Sequence, residues 1–384
     1  MKSTLDLTHY ALYIHYPWCI KKCPYCDFNS HTQDKTLETS YINALIKDLK
    51  NDLELVKGRT LSSIFFGGGT PSLMSVQSIE KILNAVSKYG QLADNIEITL
   101  EANPGTLEAG RFQGYRQAGV NRLSIGVQSF DNQQLKNLGR IHNKQQAIKA
   151  IESAISAGFT QVNLDLMYAL PHQTQQQALA DLTQACAFGT THLSWYQLTI
   201  EPNTLFYNKP PVLPEHDQLW EIQQAGQNYL QTKGFKQYEI SAYSQIGAQC
   251  QHNLNYWSFG DYLGIGAGAQ AKISQQNQII RRWKKKNPRD FIQGPAIAGE
   301  NSLNQSDLIL EFMMNALRLT QGIEKKRFIE TTGLPLKIIN KEINQAIKKG
   351  LLEQNDLILK ATPLGQNFLN DLLQYFNIKN PNGH

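Results

Sequence analysis

The sequence has no apolar run near the roughly 20 residues that a membrane-spanning helix needs. Its opening, Met1-Lys2-Ser3-Thr4-Leu5-Asp6, has no apolar signal core. No transmembrane segment is therefore expected, and the cytoplasm is the expected compartment. Cysteine is scarce, five in 384 residues, and three of the five are clustered. That pattern fits metal or cluster ligation better than a disulfide framework. Charged residues make up only 18%, and the net balance of +5 is small for the length. Both argue against a dedicated nucleic-acid binder. There is no low-complexity tract and no internal repeat beyond a strand–helix alternation.

What is present centres on residues 13–30, where Cys19, Cys23 and Cys26 follow a short apolar run with the spacing C-x3-C-x2-C. A [4Fe–4S] cubane wants thiolate ligands, usually four. This loop supplies three. The natural place for a fourth, two residues after Cys26, is occupied by Phe28. One iron would then lack a protein thiolate and stay open to an outside ligand. The alternative is a Cys3His zinc site using His15 or His31. Zinc ligands usually come as two spaced pairs, and no second pair exists here.

Strand patterns at 11–16, 61–66, 96–101, 122–127, 161–166 and 192–198 alternate with helical patterns at 37–56, 75–89, 108–118, 131–157, 175–188 and 215–233. Six such units predict a parallel sheet with right-handed crossovers. The pattern alone does not separate a doubly wound sheet from a barrel. The cysteines, Gly67-Gly68-Gly69-Thr70, Glu101, Gln128 and Asp165 fall at or near the carboxyl ends of strands, the face where such folds build sites. The glycine run is not a P-loop, because no Gly-Lys-Ser/Thr follows it.

Three units are expected: a core over 1–235, an extension over 236–300, and a C-terminal unit over 301–384. The extension has an extra strand at 238–243, an aromatic- and glycine-rich segment at 250–271 and a basic run. Three helices and a small hairpin give the C-terminal unit a likeness to a winged helix. Residues 379–384 are expected to fray.

Cys19-x3-Cys23-x2-Cys26, with Tyr25 before the last cysteine, resembles the radical S-adenosylmethionine signature. A narrower resemblance rests on three segments: His15-x-Pro17-x-Cys19 through Phe28; Gly126-Val127-Gln128-Ser129-Phe130; and His252-Asn253-Leu254-Asn255-Tyr256-Trp257 followed by Gly264-Ile265-Gly266-Ala267-Gly268-Ala269. Together they are similar to the family of oxygen-independent coproporphyrinogen III oxidases and their relatives, over nearly the whole chain. Phe28, where the oxidases have an extra cysteine, and the His-Asn-x-x-Tyr-Trp motif point to the family's haem-chaperone branch.

The resemblance implies a partial (β/α)6 TIM-like barrel with a smaller, mainly α, winged-helix-like C-terminal domain. It implies a [4Fe–4S] cluster on Cys19, Cys23 and Cys26, with S-adenosylmethionine chelating the open iron. Tyr25 would pack near the adenine, and Gly68, Gly69 and Thr70 would hold the amino group. Tyr13, Glu101, Gln128, Arg140 and Asp165 would line the same pocket. Carboxylates suit ribose hydroxyls and ammonium, and Arg140 suits a carboxylate. It further implies haem bound through the His252 segment and passed to respiratory haemoproteins, with contact at the membrane. A homodimer is left open.

Imidazole is a common axial ligand of haem iron, and Tyr256 and Trp257 offer flat apolar surface. Read without the resemblance, His252 is more often a hydrogen-bonded core histidine beside packed aromatics. Cys250 and Cys186 are read as inert, packed thiols. Arg281-Arg-Trp-Lys-Lys-Lys286 is read as a solvated face between domains, ahead of a nucleic-acid or anionic-membrane patch. A haem's propionates or an acidic acceptor protein are a third option for it. The rival to a chaperone is an enzyme that decarboxylates coproporphyrinogen III oxidatively. A weaker third reading keeps the cluster as a structural element of an interaction protein.

Overall fold

Strands that pair on both sides and are covered on both faces need apolar side chains at nearly every position. His9–Tyr16 (β1) meets that condition, with six of its eight residues buried. It lies inside a twelve-stranded sheet in a computed structural model that describes residues 5–105, 110–276 and 278–378. The other core strands are β4 (Thr60–Gly68), β5 (Gln91–Ala102), β6 (Arg122–Gln128), β7 (Gln161–Tyr168) and β8 (His192–Gln197). Two short strands, β2 (Trp18–Cys19) and β3 (His31–Thr32), pair in parallel across the cysteine loop.

The six expected strands run parallel in the order β1-β4-β5-β6-β7-β8. The sheet does not stop there. β9 (Lys236–Glu239) and β10 (Ala242–Ser244) extend the β8 side antiparallel. They split the single strand expected at 238–243. On the other side β11 (Tyr262–Ile265) joins β1 in parallel, and β12 (Gln270–Ser274), β13 (Ile279–Lys284) and β14 (Ile297–Ser302) follow antiparallel. The sheet is open, with β14 and β9 at its ends. It therefore runs across the boundary drawn at residue 235.

The basic run is only partly a solvated face: Trp283 and Lys286 are exposed, but Arg281 to Lys284 lie in β13, and Arg282 and Lys284 meet acids from the first helix, Glu38–Leu53. That helix turns Tyr41, Leu45, Asp48, Leu49 and Asp52 inward at helical spacing. Lys284 Nζ lies 2.6 Å from both Asp48 Oδ1 and Asp52 Oδ2, and all three side chains are buried. Arg282 pairs with Asp52 and Glu300, and Arg281 with Glu311. A charged residue on an apolar helix face is read from sequence as solvated. Here Asp48 and Asp52 each have a cationic partner some 230 residues away.

The helix expected over 131–157 is two helices, Asn132–Asn137 and Lys144–Ser156. Gly139, at φ 67°, and the capping box at Asn143 interrupt it. The start expected at 108 lies outside the described residues, as do 379–384; the described helix begins at Phe112. In the C-terminal unit, helices Gln305–Ala316, Lys325–Thr332 and Asn340–Lys348 pack on a small sheet. Its strands are β15 (Ile323–Glu324), β16 (Leu352–Gln354) and β17 (Ile358–Ala361), in the order β15-β17-β16. A second core around Phe312, Met313 and Phe328 also takes in Phe259 and Ile279 from before residue 301. Among the described residues no helix is long and apolar enough to cross a membrane.

Candidate functional site

The cysteine loop is clamped by glycine-permitted close approaches. Gly69 N–H donates to Tyr16 O, and Thr70 N–H donates to Trp18 O, both at 2.8 Å. Gly68 has φ 109°, and a Cβ there would sit 2.4 Å from the His15 ring. From the opposite side, Asn29 Nδ2 donates to Ala267 O and Lys286 O, each at 2.9 Å. The Gly264–Ala269 motif is therefore a brace for the loop.

The thiols have directed donors. Thr70 Oγ1 lies 3.3 Å from Cys19 Sγ, and Arg140 Nη1 lies 3.5 Å from Cys23 Sγ. Asn103 links these two groups, donating to Thr70 Oγ1 at 2.9 Å and accepting from Arg140 Nη2 at 2.6 Å. Burial pushes the Cys19 and Cys26 thiols up, and hydrogen bonds from Thr70 and the Phe28 N–H oppose it. Among the described residues no three His, Cys, Asp or Glu side chains are arranged to hold a single metal ion. The zinc alternative gains no support from this geometry. A cubane takes each thiolate on a different iron and does not need them to converge. Three thiols with donors behind them suit that group.

A cavity of about 160 Å³ opens beside the three cysteines. Tyr25, Gly68, Gly69, Thr70, Glu101, Gln128, Arg140 and Asp165 all line it. The structure thus brings together every residue singled out for this pocket except Tyr13, which lines the adjoining larger cavity. Glu101 Oε2 accepts from Gly68 N–H at 3.2 Å. Burial, then the charge of Asp165, pushes its pKa up to about 8. Burial also raises Asp165, opposed by Asn163 Nδ2 at 2.7 Å and Ser124 Oγ at 3.0 Å. Gln128 takes φ 68°, a conformation costly for a residue with a Cβ, and its Oε1 accepts from Tyr196 OH at 2.7 Å. Tyr13 OH is 3.0 Å from His15 Nδ1, and the Tyr25 ring packs near Phe206.

The larger cavity, about 880 Å³, shares Gly68, Glu101, Ser124 and Asp165 with the smaller one. It continues inward to Arg122 and His192 at the starts of β6 and β8. Such a volume is within the roughly 300–1,000 Å³ of small-molecule sites. The helix Gln251–Trp257 borders it, presenting Asn253 and Tyr256. Glu97 holds that helix by accepting the N–H groups of Gln251 and His252.

His252 itself is not brought to the cavity wall. It is 1% exposed, stacked on Phe65 with centroids 5.0 Å apart and edge-on to Tyr256 at 4.8 Å. Its Nδ1 is 3.0 Å from Ser63 Oγ, and its Nε2 has no partner among the described residues. Burial lowers its pKa to about 3, so the ring stays neutral. Trp257 turns toward the C-terminal core and carries Arg318 over its ring at 4.3 Å. Cys250 does line the larger cavity, but burial pushes its thiol up to about 12. Cys186 packs against the main core.

Sequence reasoning misses Arg122, Asn163 and His192. The available signal was polar residues two apart on apolar strands, Arg122 and Ser124 on β6 and Asn163 and Asp165 on β7. Alternate strand residues share a face, here the interior one.

The radical SAM superfamily model matches residues 13–184, and the HemN C-terminal domain model matches residues 303–368. The chain is 48% identical over 368 residues to the haem chaperone HemW of Escherichia coli, covering 95% of this chain and 97% of that one. The chain belongs to the HemW family. The Haemophilus influenzae HemW is 48% identical and the Bacillus subtilis HemW 32% identical, each over 95% of this chain and 97% and 98% of theirs. Among solved structures, Escherichia coli coproporphyrinogen III oxidase (HemN), a radical SAM enzyme, aligns with TM-score 0.80 over 97% of this chain and 91% of its own. At 21% identity that likeness establishes the fold. The radical SAM fold of this HemW-family chain implies a [4Fe–4S] cluster and S-adenosylmethionine.

Proposed function

We propose that this protein is a cytoplasmic haem chaperone that binds haem in the larger cavity and passes it to haem-requiring acceptor proteins, respiratory ones at the membrane included. One observation carries the reading. The cavity of about 880 Å³ takes part of its wall from Asn253 and Tyr256 of the His-Asn-x-x-Tyr-Trp helix and adjoins the pocket beside the cysteine loop. The motif's contribution to haem is then made through Asn253 and Tyr256, with His252 holding the Phe65–Tyr256 wall from behind.

In this reading Cys19, Cys23 and Cys26 hold the cluster. Glu101 and Asp165 meet the ammonium and ribose hydroxyls of S-adenosylmethionine, Arg140 its carboxylate, and Tyr25 its adenine. Gln128 lines the same pocket, and Gly68, Gly69 and Thr70 flank the amino group. When bound, the cluster supplies one-electron chemistry to S-adenosylmethionine.

That complete S-adenosylmethionine pocket is also what favours a second reading, an oxidase acting on coproporphyrinogen III. One anaerobic experiment separates the two. The cluster-reconstituted protein receives haem in one sample, and coproporphyrinogen III, reductant and S-adenosylmethionine in another. Stoichiometric haem binding without decarboxylation is expected. Protoporphyrinogen formed with turnover would overturn the chaperone reading.

A further inference from the structure

We propose that His31 supplies the axial imidazole to the iron of haem in the larger cavity, and that Lys286, which lines the same cavity, meets a propionate. The inference rests on the haem-binding reading above.

Three histidines line the larger cavity: His15, His31 and His192. His15 has both nitrogens engaged, Nδ1 with Tyr13 OH at 3.0 Å and Nε2 with Asn29 O at 2.9 Å. So has His192, Nδ1 with Asn163 Oδ1 at 2.6 Å and Nε2 with Tyr238 OH at 2.8 Å. An iron bond at either ring would have to break one of these. His31 Nε2 is buried and has no hydrogen-bond partner among the described residues. A buried ring nitrogen left unpaired calls for a partner. Turning that ring about its side-chain torsions toward the cavity sacrifices no hydrogen bond at Nε2.

Other donors on the cavity wall are less suited. Burial raises the Tyr13 and Tyr256 phenols well above their ordinary range, so they stay protonated. The Cys250 thiol lies 3.4 Å from Glu97 Oε1. His252 does not reach the wall, being screened by Phe65 and Tyr256. The backbone of His31 is fixed: its N–H donates to Pro17 O at 2.7 Å, and it pairs with Trp18 in parallel.

Lys286 lines the same cavity, and its carbonyl is tied to Asn29, two residues before His31. Arg281, Arg282 and Lys284 are each committed to carboxylates. Lys286 forms none of the ion pairs found among the described residues, which leaves its ammonium for a propionate. Ligation itself is a ligand exchange. An imidazole nitrogen lone pair would replace a solvent ligand on ferric iron, with no electron transferred.

The test is a titration of ferric haem into the reconstituted protein and its His31→Gly and His31→Gln variants, followed by absorbance and electron paramagnetic resonance. Both variants are expected to show shifted Soret and visible bands, a changed spin state and roughly tenfold weaker binding. Added imidazole is expected to restore the wild-type spectrum in His31→Gly. His252→Gln is expected to keep the wild-type bands. Unchanged spectra in folded, cluster-loaded His31 variants, or loss of the bands in His252→Gln, would overturn the assignment while leaving haem binding intact. A wild type that binds no haem would overturn the parent reading instead. Lys286→Glu is expected to weaken binding of haem but not of haem dimethyl ester. An equal effect on both, or none, would remove Lys286 from the proposal.

Discussion

Thr70 Oγ1 donates toward the Cys19 sulfur across 3.3 Å, and Asn103 fixes that hydroxyl from behind. The glycine run at the end of β4 therefore does more than turn the chain. It places a donor on a cluster ligand, and such outer contacts tune how firmly a metal group is held. Thr70→Val keeps the shape and removes the donor. The variant is expected to lose its cluster to a chelator roughly tenfold faster, followed by absorbance near the iron–sulfur band. An unchanged rate would mean that the Thr70 contact is incidental.

Gly68 has no room for a side chain. Its φ is 109°, and a Cβ would lie 2.4 Å from the His15 ring. Strain and overlap together are expected to make Gly68→Ala about 2–4 kcal/mol less stable in urea unfolding. A loss below about 0.5 kcal/mol would show that the loop and strand separate easily.

Glu101 predicts a pH dependence. Burial, then Asp165, raises its folded pKa from 4.5 to about 8. The folded protein keeps this proton over a range where the unfolded chain has lost it. This contribution to stability therefore falls as pH rises between those values and is level below them. Glu101→Gln has no proton to lose. Without added ligands, its stability relative to wild type is expected to improve steadily from about pH 5 to about pH 8. A difference that stays flat over that range would contradict a raised Glu101.

Lys284, Asp48 and Asp52 form a buried triad joining the first helix to β13. Removing one partner of a buried ion pair strands the others. Lys284→Met is expected to cost about 3–5 kcal/mol, measured by chemical unfolding. A cost below about 1 kcal/mol would show that water or a neighbour takes over the carboxylates.

Much of this architecture was legible in the sequence. The six parallel strands showed because each is a short apolar run ending in glycine or a polar residue, and the cysteines stood out by rarity and spacing. The residues read onto one rim from strand ends, Glu101, Gln128 and Asp165, do share a pocket with the thiols. β11 to β14 did not show, because they are short and glycine-rich or basic. Their stability comes from β1 and from Asp48 and Asp52, far away in sequence. The orientation of His252 was equally hidden. A seven-residue helix carrying one polar motif points Asn253 and Tyr256 one way and Trp257 another, and only packing decides which side faces the cavity.

The most direct test of the central claim is a haem titration of wild type against Asn253→Trp, whose indole would fill part of the larger cavity beside Tyr256. The account predicts saturation at one haem per chain in wild type and a marked loss of affinity in the variant, with cluster content unchanged. Equal saturation of both proteins would contradict it.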